Sequence, residues 1–239
     1  MIAMVVGGST GLGRALVEGL GRPGDTLIGV SRAQPQAIEL LSSGVTLEWI
    51  EADLADPVAG VEQIAARTPA DLDVLIYNIG IWEEQAFSEQ YAFLNDSDAL
   101  ISRLVDVNIT ATLLLLKRLI PKLLASSRPQ LILTGSTSGL RQSGRPEVTF
   151  GATKSALNGI ADALREGFRQ RNLAVTVLQL GYLNTVDPLS TPLATAAQRG
   201  EGEWIPVHDV VNVVDALMRL STASFVRELV MPAIRDERF

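Results

Sequence analysis

The N-terminal stretch Met1-Ile-Ala-Met-Val-Val-Gly-Gly-Ser-Thr-Gly-Leu-Gly13 decides the fold of this chain. Its first six residues are apolar and predict a buried strand, and the glycines that follow lead into a helical pattern over residues 12–20. Glycines allow a tight turn and let backbone N–H groups approach a phosphate at the positive end of the helix. The residues predicted to hold this phosphate are Gly7, Ser9, Thr10, Gly11, Leu12 and Gly13, with an ordinary glycine-rich turn as the alternative.

Short apolar runs alternate with longer helical patterns along the rest of the chain. The predicted strands are residues 1–6, 26–30, 45–50, 73–77, 130–134, 174–180 and 228–231. The predicted helices are residues 12–20, 57–67, 98–125, 148–170 and 209–220. This alternation predicts an α/β fold, a Rossmann-like, doubly wound parallel sheet of about seven strands with helices on both faces. In such sheets ligands bind at the carboxyl ends of the strands.

No linker, repeat or low-complexity segment divides the chain, so we expect one domain over residues 1–239. Its least patterned parts, residues 83–95 and 186–205, are long enough to be substrate loops. The most apolar region, residues 109–124, contains Lys117, Arg118 and Lys122, so we expect no membrane span.

Composition narrows the functional classes further. The net charge is -7 and the positive residues are scattered, which argues against a nucleic-acid partner. With no cysteine and a single histidine, neither a disulfide framework nor a metal site is expected. The lack of cysteine is compatible with a reducing cytosol, and we predict a cytoplasmic location.

The second predicted strand is followed directly by Ser31 and Arg32. An acidic residue at this position accepts hydrogen bonds from the 2′-hydroxyl of a nucleotide ribose, whereas serine followed by arginine favours a 2′-phosphate. Ser31 and Arg32 therefore predict NADP(H) in preference to NAD(H). The alternative is an arginine that simply lies in solvent.

Several short motifs, each at the expected place on the strand and helix pattern, resemble the short-chain dehydrogenase/reductase family over nearly the whole chain. The first turn is similar to the family's TGxxxGxG, with Val6 in the place of its threonine. Tyr77-Asn-Ile-Gly80 resembles NNAG with two substitutions, and Gly181-Tyr-Leu-Asn-Thr185 resembles PGxxxT with Leu180 in the place of the proline. The cofactor contacts that the resemblance adds are Asp53, Leu54, Asn78, Gly80, Lys154, Gly181, Leu183 and Thr185.

The same resemblance predicts the catalytic centre. Phe150-Gly-Ala-Thr-Lys154 is similar to the family's YxxxK, Ser136 matches its catalytic serine, and Asn108 matches an asparagine that holds a water in a proton relay. The resemblance implies an oxidoreductase that interconverts a carbonyl and an alcohol on a small molecule, in which Ser136 polarises the carbonyl and Lys154 binds the ribose. Residues four apart share one face of a helix, so the Phe150 and Lys154 side chains should point together toward Ser136.

Phe150 stands where the family has its proton-donating tyrosine, and a phenyl ring has no proton to give. The substitution is either engineered to trap a complex or natural. A natural substitution needs another proton source: Ser136, Thr149, or a water held by Lys154 and Asn108. In a third interpretation the chain is a nucleotide-binding regulator or scaffold without turnover. Positioned acid–base catalysis typically contributes about 10²- to 10⁴-fold, so an oxidoreductase with Phe150 is expected to be impaired.

Rings and hydroxyls at other strand ends complete the predicted site. Trp82, Ser138 and Tyr182 are the predicted substrate contacts, with a packing or turn role as the alternative for each. The helix predicted over residues 98–125 corresponds to one that often pairs between subunits in the resembling family, which implies a homodimer or homotetramer.

Overall fold

A parallel sheet of seven strands forms the centre of the structure, a computed structural model that describes residues 1–237. The strands are β1 (Ile2–Val6), β2 (Thr26–Ser31), β3 (Thr46–Glu51), β4 (Val74–Tyr77), β5 (Gln130–Thr134), β6 (Ala174–Leu180), β7 (Leu183–Asn184), β8 (Ile205–Pro206) and β9 (Glu228–Met231). Strands β7 and β8 pair only with each other, and the others form the sheet. Every predicted strand is confirmed to within one residue at each end.

The order of the strands across the sheet is β3-β2-β1-β4-β5-β6-β9. After β1 the chain moves outward through β2 and β3, and then returns to add β4 on the opposite side of β1. The connections therefore diverge between β1 and β4 and leave a crevice at the carboxyl ends of these strands. The glycine turn that follows β1 lies beside this crevice.

Helices cover both faces of the sheet, as the predicted doubly wound fold requires. They are α1 (Gly11–Gly19), α2 (Pro57–Arg67), α3 (Asp98–Val105), α4 (Ala111–Leu123), α5 (Val148–Gly167), α6 (Leu193–Gln198) and α7 (Val207–Met218). Successive side chains of a strand point to opposite faces. In β1, Ala3 and Val5 pack with α1 and α7, whereas Met4 and Val6 pack with α2, α4 and α5.

The helix predicted over residues 98–125 is confirmed as a helical run over Asp98–Leu123, and it widens near its middle. Helix α3 ends at Val105, a π-helical turn spans Asp106–Thr110, and α4 begins at Ala111. Asn108 lies in this wide turn, where its side chain is buried. Such turns are rare inside helices and are frequent at functional sites.

The run Asp98–Leu123 is long and apolar enough, by length and composition alone, to cross a membrane. Three of its leucines, Leu104, Leu115 and Leu119, are 0% exposed. Leu115 and Leu119 belong to the core cluster between the sheet and its helices. Burial against the sheet accounts for these leucines, whereas Val105 and Leu113 of the same run are exposed.

Candidate active site

A cavity of about 830 Å³ opens along the carboxyl ends of the strands. It runs from the end of β3 past the glycine turn to the segment that follows β6. The predicted site residues that line it are Gly7, Ser9, Thr10, Gly11, Leu12, Ser31, Arg32, Asp53, Leu54, Asn78, Gly80, Trp82, Ser136, Ser138, Phe150, Lys154, Gly181, Tyr182, Leu183 and Thr185. Two predicted residues, Gly13 and Asn108, do not line it.

The glycine turn forms a cradle that side chains would fill. Gly7 has a φ of +88°, and a Cβ there would lie 2.6 Å from the carbonyl oxygen of Asn78. Gly11 has a φ of +52° and lies against the Thr185 side chain. Helix α1 begins next to this turn without a side-chain cap and without an acidic residue in its first turn. Its first backbone N–H groups are therefore suited to an anionic ligand.

Gly13 allows the tight turn that the sequence predicts, although it does not line the cavity. A Cβ at this position would lie 1.8 Å from the carbonyl oxygen of Gly7. Since Gly13 packs the first turn of α1 against the strand-to-helix turn, it shapes the cradle without facing the cavity.

Ser31 and Arg32 both line the cavity, but they differ in the hydrogen bonds that their side chains already make within the protein. The Ser31 hydroxyl donates to the carbonyl oxygen of Ala33 at 2.7 Å and accepts from Nε1 of Trp49 at 3.2 Å. Its hydrogen is therefore donated within the protein, and the contact between Ser31 and a phosphate stays a prediction. The guanidinium of Arg32 is exposed on the cavity wall. A preference for a 2′-phosphate thus depends on Arg32.

Lys154 is a buried cation on the cavity wall, and the residue is only 6% exposed. Its Nζ donates to the carbonyl oxygens of Thr134 at 2.9 Å and Ile79 at 3.3 Å. Within residues 1–237 no carboxylate forms an ion pair with it, and burial lowers the pKa of the ammonium to about 8. A Cβ at Gly80 would lie 3.0 Å from this Nζ, so a glycine there leaves room for the ammonium.

Phe150 and Lys154 project from the same face of α5, as their spacing predicts. The Nζ of Lys154 lies 5.7 Å from the centroid of the Phe150 ring. Ser136 lines the same cavity from the end of β5, where its Oγ accepts from the Ser138 backbone N–H at 3.1 Å. The hydroxyl hydrogen of Ser136 is not used in this bond. The cavity therefore combines a hydroxyl donor, an ammonium and a phenyl ring.

The Asn108 side chain is hydrogen-bonded to groups of the protein. Its Oδ1 accepts from the Ile81 N–H at 2.9 Å, and its Nδ2 donates to the Ile81 carbonyl at 2.8 Å and to Thr153 Oγ1 at 3.0 Å. These bonds tie the segment after β4 to the π-helical turn and to α5. A relay water would therefore have to bind the backbone carbonyl oxygen of Asn108. This oxygen already accepts a hydrogen bond from Thr112 Oγ1 at 2.7 Å.

Side chains of the segment after β4 hold the first turn of α5. Glu83 is 0% exposed and its Oε1 accepts from the Phe150 N–H at 2.9 Å. The hydroxyl oxygen of Tyr91 accepts from the Val148 N–H at 3.1 Å, and Glu147 Oε1 accepts from the Phe87 N–H at 2.8 Å. Sequence reasoning missed these caps because the partners are 57 to 67 residues apart. Thr149, in the same turn, is buried and does not line the cavity.

Four aromatic rings meet at the end of the cavity near Lys154. Phe87 lies edge-to-face with Phe150 at 5.3 Å between centroids and with Tyr182 at 5.7 Å. Trp82 lies edge-to-face with Phe150 at 6.3 Å and tilted against Phe87 at 5.9 Å. All four rings line the cavity. Trp82 and Tyr182 were predicted as substrate contacts, whereas Phe87 gave no local signal.

An arginine missed by the sequence analysis supports Tyr182. Arg145 donates to the Tyr182 hydroxyl oxygen at 2.8 Å, and its guanidinium carbon lies 4.5 Å from the centroid of that ring. The other end of the guanidinium is ion-paired with Asp236 at 2.8 Å, and both side chains are nearly buried. The pair joins positions 91 residues apart, which no sequence motif indicates.

The two predicted substrate loops have different positions. Phe87, in segment 83–95, lines the cavity, but no residue of segment 186–205 does so. The second segment contains α6 and is fixed by the Asp187–Arg199 ion pair at 2.6 Å. The ring nitrogen Nε2 of His208 also bonds the Leu189 and Thr191 carbonyl oxygens. The contact between residues 186–205 and a substrate therefore stays a prediction, with no support from the lining of the cavity.

No group of three or more His, Asp or Glu side chains within residues 1–237 is placed to hold a metal ion.

Known proteins resemble this chain in sequence and in fold. A family model described as short chain dehydrogenase matches residues 1–190. Oxidoreductase UcpA of Escherichia coli (strain K12) is 24% identical over 242 residues, which cover 98% of this chain and 88% of that protein. The 3-oxoacyl-[acyl-carrier-protein] reductase FabG of the same organism is 24% identical over 188 residues, covering 77% of this chain and 74% of FabG.

Solved structures share the fold over nearly the full length. An alcohol dehydrogenase from the archaeon Thermococcus sibiricus, complexed with 5-hydroxy-NADP, matches with a TM-score of 0.77 and 18% identity, covering 98% of this chain and 96% of the other. A metagenomic short-chain oxidoreductase in complex with NADP matches with a TM-score of 0.74 and 23% identity, covering 98% of each chain. At these identities the structural matches describe the fold alone.

Proposed function

This chain belongs to the short-chain dehydrogenase family, and from that membership we propose that it is an NADP(H)-dependent oxidoreductase that interconverts a carbonyl and an alcohol on a small molecule. The single observation that carries the proposal is the shared cavity of Ser136, Lys154 and the glycine cradle. A phosphate-binding turn and a buried ammonium along one crevice suit a dinucleotide that lies across the carboxyl ends of the strands.

The residues of the cavity match the chemical groups of this cofactor. The cradle at Gly7 to Leu12 would hold the pyrophosphate, because its backbone N–H groups meet no competing carboxylate in the first turn of α1. Asp53 and Leu54 would contact the adenine, and Asn78, Gly80, Gly181, Leu183 and Thr185 would enclose the nicotinamide end. Two solved relatives in fold are complexes with NADP or 5-hydroxy-NADP, which supports a nicotinamide cofactor.

Arg32 carries the preference for NADP(H). Its exposed guanidinium suits a 2′-phosphate, which it would bind by charge-assisted hydrogen bonds. The Ser31 hydroxyl adds nothing to this preference, because its hydrogen is donated to Ala33.

Two side chains of the cavity handle the reacting oxygen and the ribose. When bound, the cofactor supplies or accepts a hydride at the reacting carbon. The Ser136 hydroxyl donates to the substrate oxygen and polarises the carbonyl. The Lys154 ammonium already holds the Thr134 and Ile79 carbonyls and has one N–H left for a ribose hydroxyl.

Phe150 occupies the place of the proton donor and lowers the rate that this site can reach. Of the substitutes predicted from the sequence, Ser136 is on the cavity wall, whereas Thr149 is buried outside it. The Asn108 side chain is committed to Ile81 and Thr153. We therefore propose an impaired or trapped reductase. The second candidate, a nucleotide-binding regulator or scaffold without turnover, is favoured by the same absence of an acidic hydroxyl at Phe150.

One experiment separates these functions. NADPH fluorescence measures binding to the parent and to Phe150→Tyr, and NADPH absorbance measures turnover of a panel of aldehydes and ketones. Binding by both proteins with turnover only by Phe150→Tyr is the expected result for an impaired reductase. Turnover by neither favours the regulator, and equal turnover by both indicates a substitute acid. Failure of both to bind NADPH or NADH rejects the proposed function.

We also propose that the protein acts in the cytoplasm as a homodimer or homotetramer. Val105 and Leu113, on the α3–α4 run, are 41% and 48% exposed, and a second subunit would cover such apolar side chains. Light scattering coupled to size exclusion tests the assembly, and a monomer at micromolar concentration would reject it.

A further inference from the structure

The aromatic wall, defined as Trp82, Phe87, Phe150 and Tyr182, lies next to the proposed reaction centre. Aromatic residues are only 5% of the chain, yet four of their rings line this one cavity. They come from three places: the segment after β4, which supplies Trp82 and Phe87, then α5, and the segment after β6. The Phe150 ring also lies 5.7 Å from the Lys154 ammonium. A ligand on the wall would therefore be close to Ser136 and Lys154.

Two residues of the wall, Trp82 and Phe87, line the cavity and expose much of their surface to solvent. Trp82 is 55% exposed and Phe87 is 37% exposed, whereas Phe150 is 6% exposed. Burying exposed ring surface under an apolar ligand is favourable because it removes that surface from water. Exposed aromatic side chains that line a cavity, rather than being scattered over the outer surface, indicate a binding site.

Two cations lie over rings of the wall, Arg145 over Tyr182 and Lys154 over Phe150, and both are already hydrogen-bonded within the protein. The Arg145 guanidinium is ion-paired with Asp236 and donates to the Tyr182 hydroxyl oxygen. The Lys154 ammonium donates to two backbone carbonyls, and its remaining N–H is assigned to the ribose under the proposed function. A substrate carboxylate or phosphate at the wall would therefore find no uncommitted cation in these two groups, and its desolvation would go uncompensated.

We propose, on the basis of the proposed function, that the substrate is a neutral aryl carbonyl compound or the matching benzylic alcohol. Its ring packs against Trp82 and Phe87, and its oxygen reaches the Ser136 hydroxyl. The rings of the wall already contact one another edge-to-face, with interplanar angles of 86° and 89°. A planar aromatic substrate extends this arrangement, whereas a saturated ring of the same size offers no edge-to-face contact.

Equilibrium binding tests the proposal without requiring turnover. The parent is saturated with NADP⁺, so that a ketone cannot be reduced, and titrated with acetophenone or with cyclohexyl methyl ketone by calorimetry. These ketones have equal numbers of heavy atoms and differ in the aromaticity of the ring. We expect acetophenone to bind about 3- to 10-fold tighter, the preference that one or two edge-to-face contacts provide. Equal affinities, or no detectable acetophenone binding, would overturn the proposal.

Variants of the wall assign the preference to its rings. Phe87→Leu and Trp82→Leu keep an apolar side chain and remove a ring, so each should lower the ratio of the two affinities toward one. Matched controls are Phe93→Leu and Trp204→Leu, because these rings are 42% and 41% exposed and do not line the cavity. An unchanged ratio in both wall variants would overturn the proposal. Retained NADPH binding shows that each variant is folded, and the parent ratio decides alone if neither wall variant folds.

A charged ligand separates failure of the neutral-substrate claim from failure of the proposed function. The anion 4-acetylbenzoate should bind more weakly than acetophenone, since Arg145 is paired. Tighter binding of the anion would overturn the neutral substrate class while leaving the oxidoreductase proposal intact. Absence of NADPH binding would instead reject the proposed function itself.

Discussion

At the residue scale, Phe150 and Lys154 place a phenyl ring beside a buried ammonium on the cavity wall. The two side chains share one face of α5, and no carboxylate among the described residues neutralises the ammonium. A buried, uncompensated ammonium is costly for the free protein and useful to a ligand that brings acceptors. These two residues therefore give the sharpest tests of the site.

Phe150→Tyr should raise the turnover of a carbonyl substrate by about 10²- to 10⁴-fold, because it restores a positioned hydroxyl near a cation. The ring position is already formed, so NADPH affinity should change little. Initial rates by NADPH absorbance and affinity by fluorescence measure the two quantities. Phe168→Tyr, elsewhere on the chain, is the control for a general effect of an added hydroxyl, and the same gain in it would contradict the assignment.

Lys154 should make the stability of the protein depend on pH above neutrality. Burial lowers its pKa from 10.5 to about 8, so the folded state releases a proton at lower pH than the unfolded state does. Below about pH 8 the ammonium is charged in both states and its burial opposes folding. Between about pH 8 and 10.5 the unfolded state binds more protons, so the unfolding free energy rises with pH, by up to about 1.4 kcal/mol per pH unit.

Urea denaturation of the parent and of Lys154→Met at several pH values measures this contribution. The difference between the two unfolding free energies should move in favour of the parent as the pH rises through this window. Lys117→Met, at an exposed position, should show no such trend. A constant difference between the parent and Lys154→Met would contradict the buried, unpaired ammonium.

Arg32→Ala should weaken NADPH binding by about 10- to 100-fold, the loss expected for charge-assisted hydrogen bonds to a phosphate. NADH lacks the 2′-phosphate, so its affinity should stay within about 2-fold of the parent's value. Fluorescence titrations with both cofactors give the ratio. Ser31→Ala serves as the control at the neighbouring position, because the Ser31 hydroxyl is already bonded to Ala33 and Trp49. Equal losses for NADPH and NADH would show that Arg32 does not select the phosphate.

At the element scale, the π-helical turn Asp106–Thr110 joins three segments through one side chain. Asn108 bonds the segment after β4 and the start of α5, at separations of 27 and 45 residues. The hydrophobic spacing of residues 98–125 continues through this turn, so the sequence predicts a regular helix there. The interruption depends on partners far along the chain and has no local signal.

Asn108→Ala should lower the unfolding free energy by about 1 to 3 kcal/mol, because it leaves the part-buried N–H and carbonyl groups of Ile81 without their side-chain partner. Asn95→Ala, at an exposed position, should change it by less than about 0.5 kcal/mol. Chemical denaturation measures both values. A small loss in Asn108→Ala would mean that water replaces the side chain.

At the scale of the whole molecule, local pattern predicts the sheet and the position of the crevice. The five central strands, β1, β2, β4, β5 and β6, are short runs buried on both faces, so their limits follow largely from composition. Residues at strand ends, such as Ser136 and Asn78, reach the cavity because parallel strands end at one edge. The contacts that hold the site in place join segments that are far apart in the sequence. Neither the hydrogen bond from the Phe150 N–H to Glu83 nor the Arg145–Asp236 ion pair can be predicted from the spacing of residues. The two-residue strands β7 and β8 are likewise too short to show a period.

The hydrogen bonds between segment 83–91 and the first turn of α5 couple the opening of a surface loop to the binding of the cofactor. A protease that nicks this loop needs it to open, and opening removes the caps at Val148 and Phe150 from the helix that carries Lys154. A bound nucleotide that holds Lys154 favours the closed state of both, and by reciprocity it protects the loop. Limited digestion should therefore cut between residues 83 and 95 more slowly in the NADPH complex than in the free protein. The amount of intact chain on a gel measures the difference, and the experiment needs no substrate.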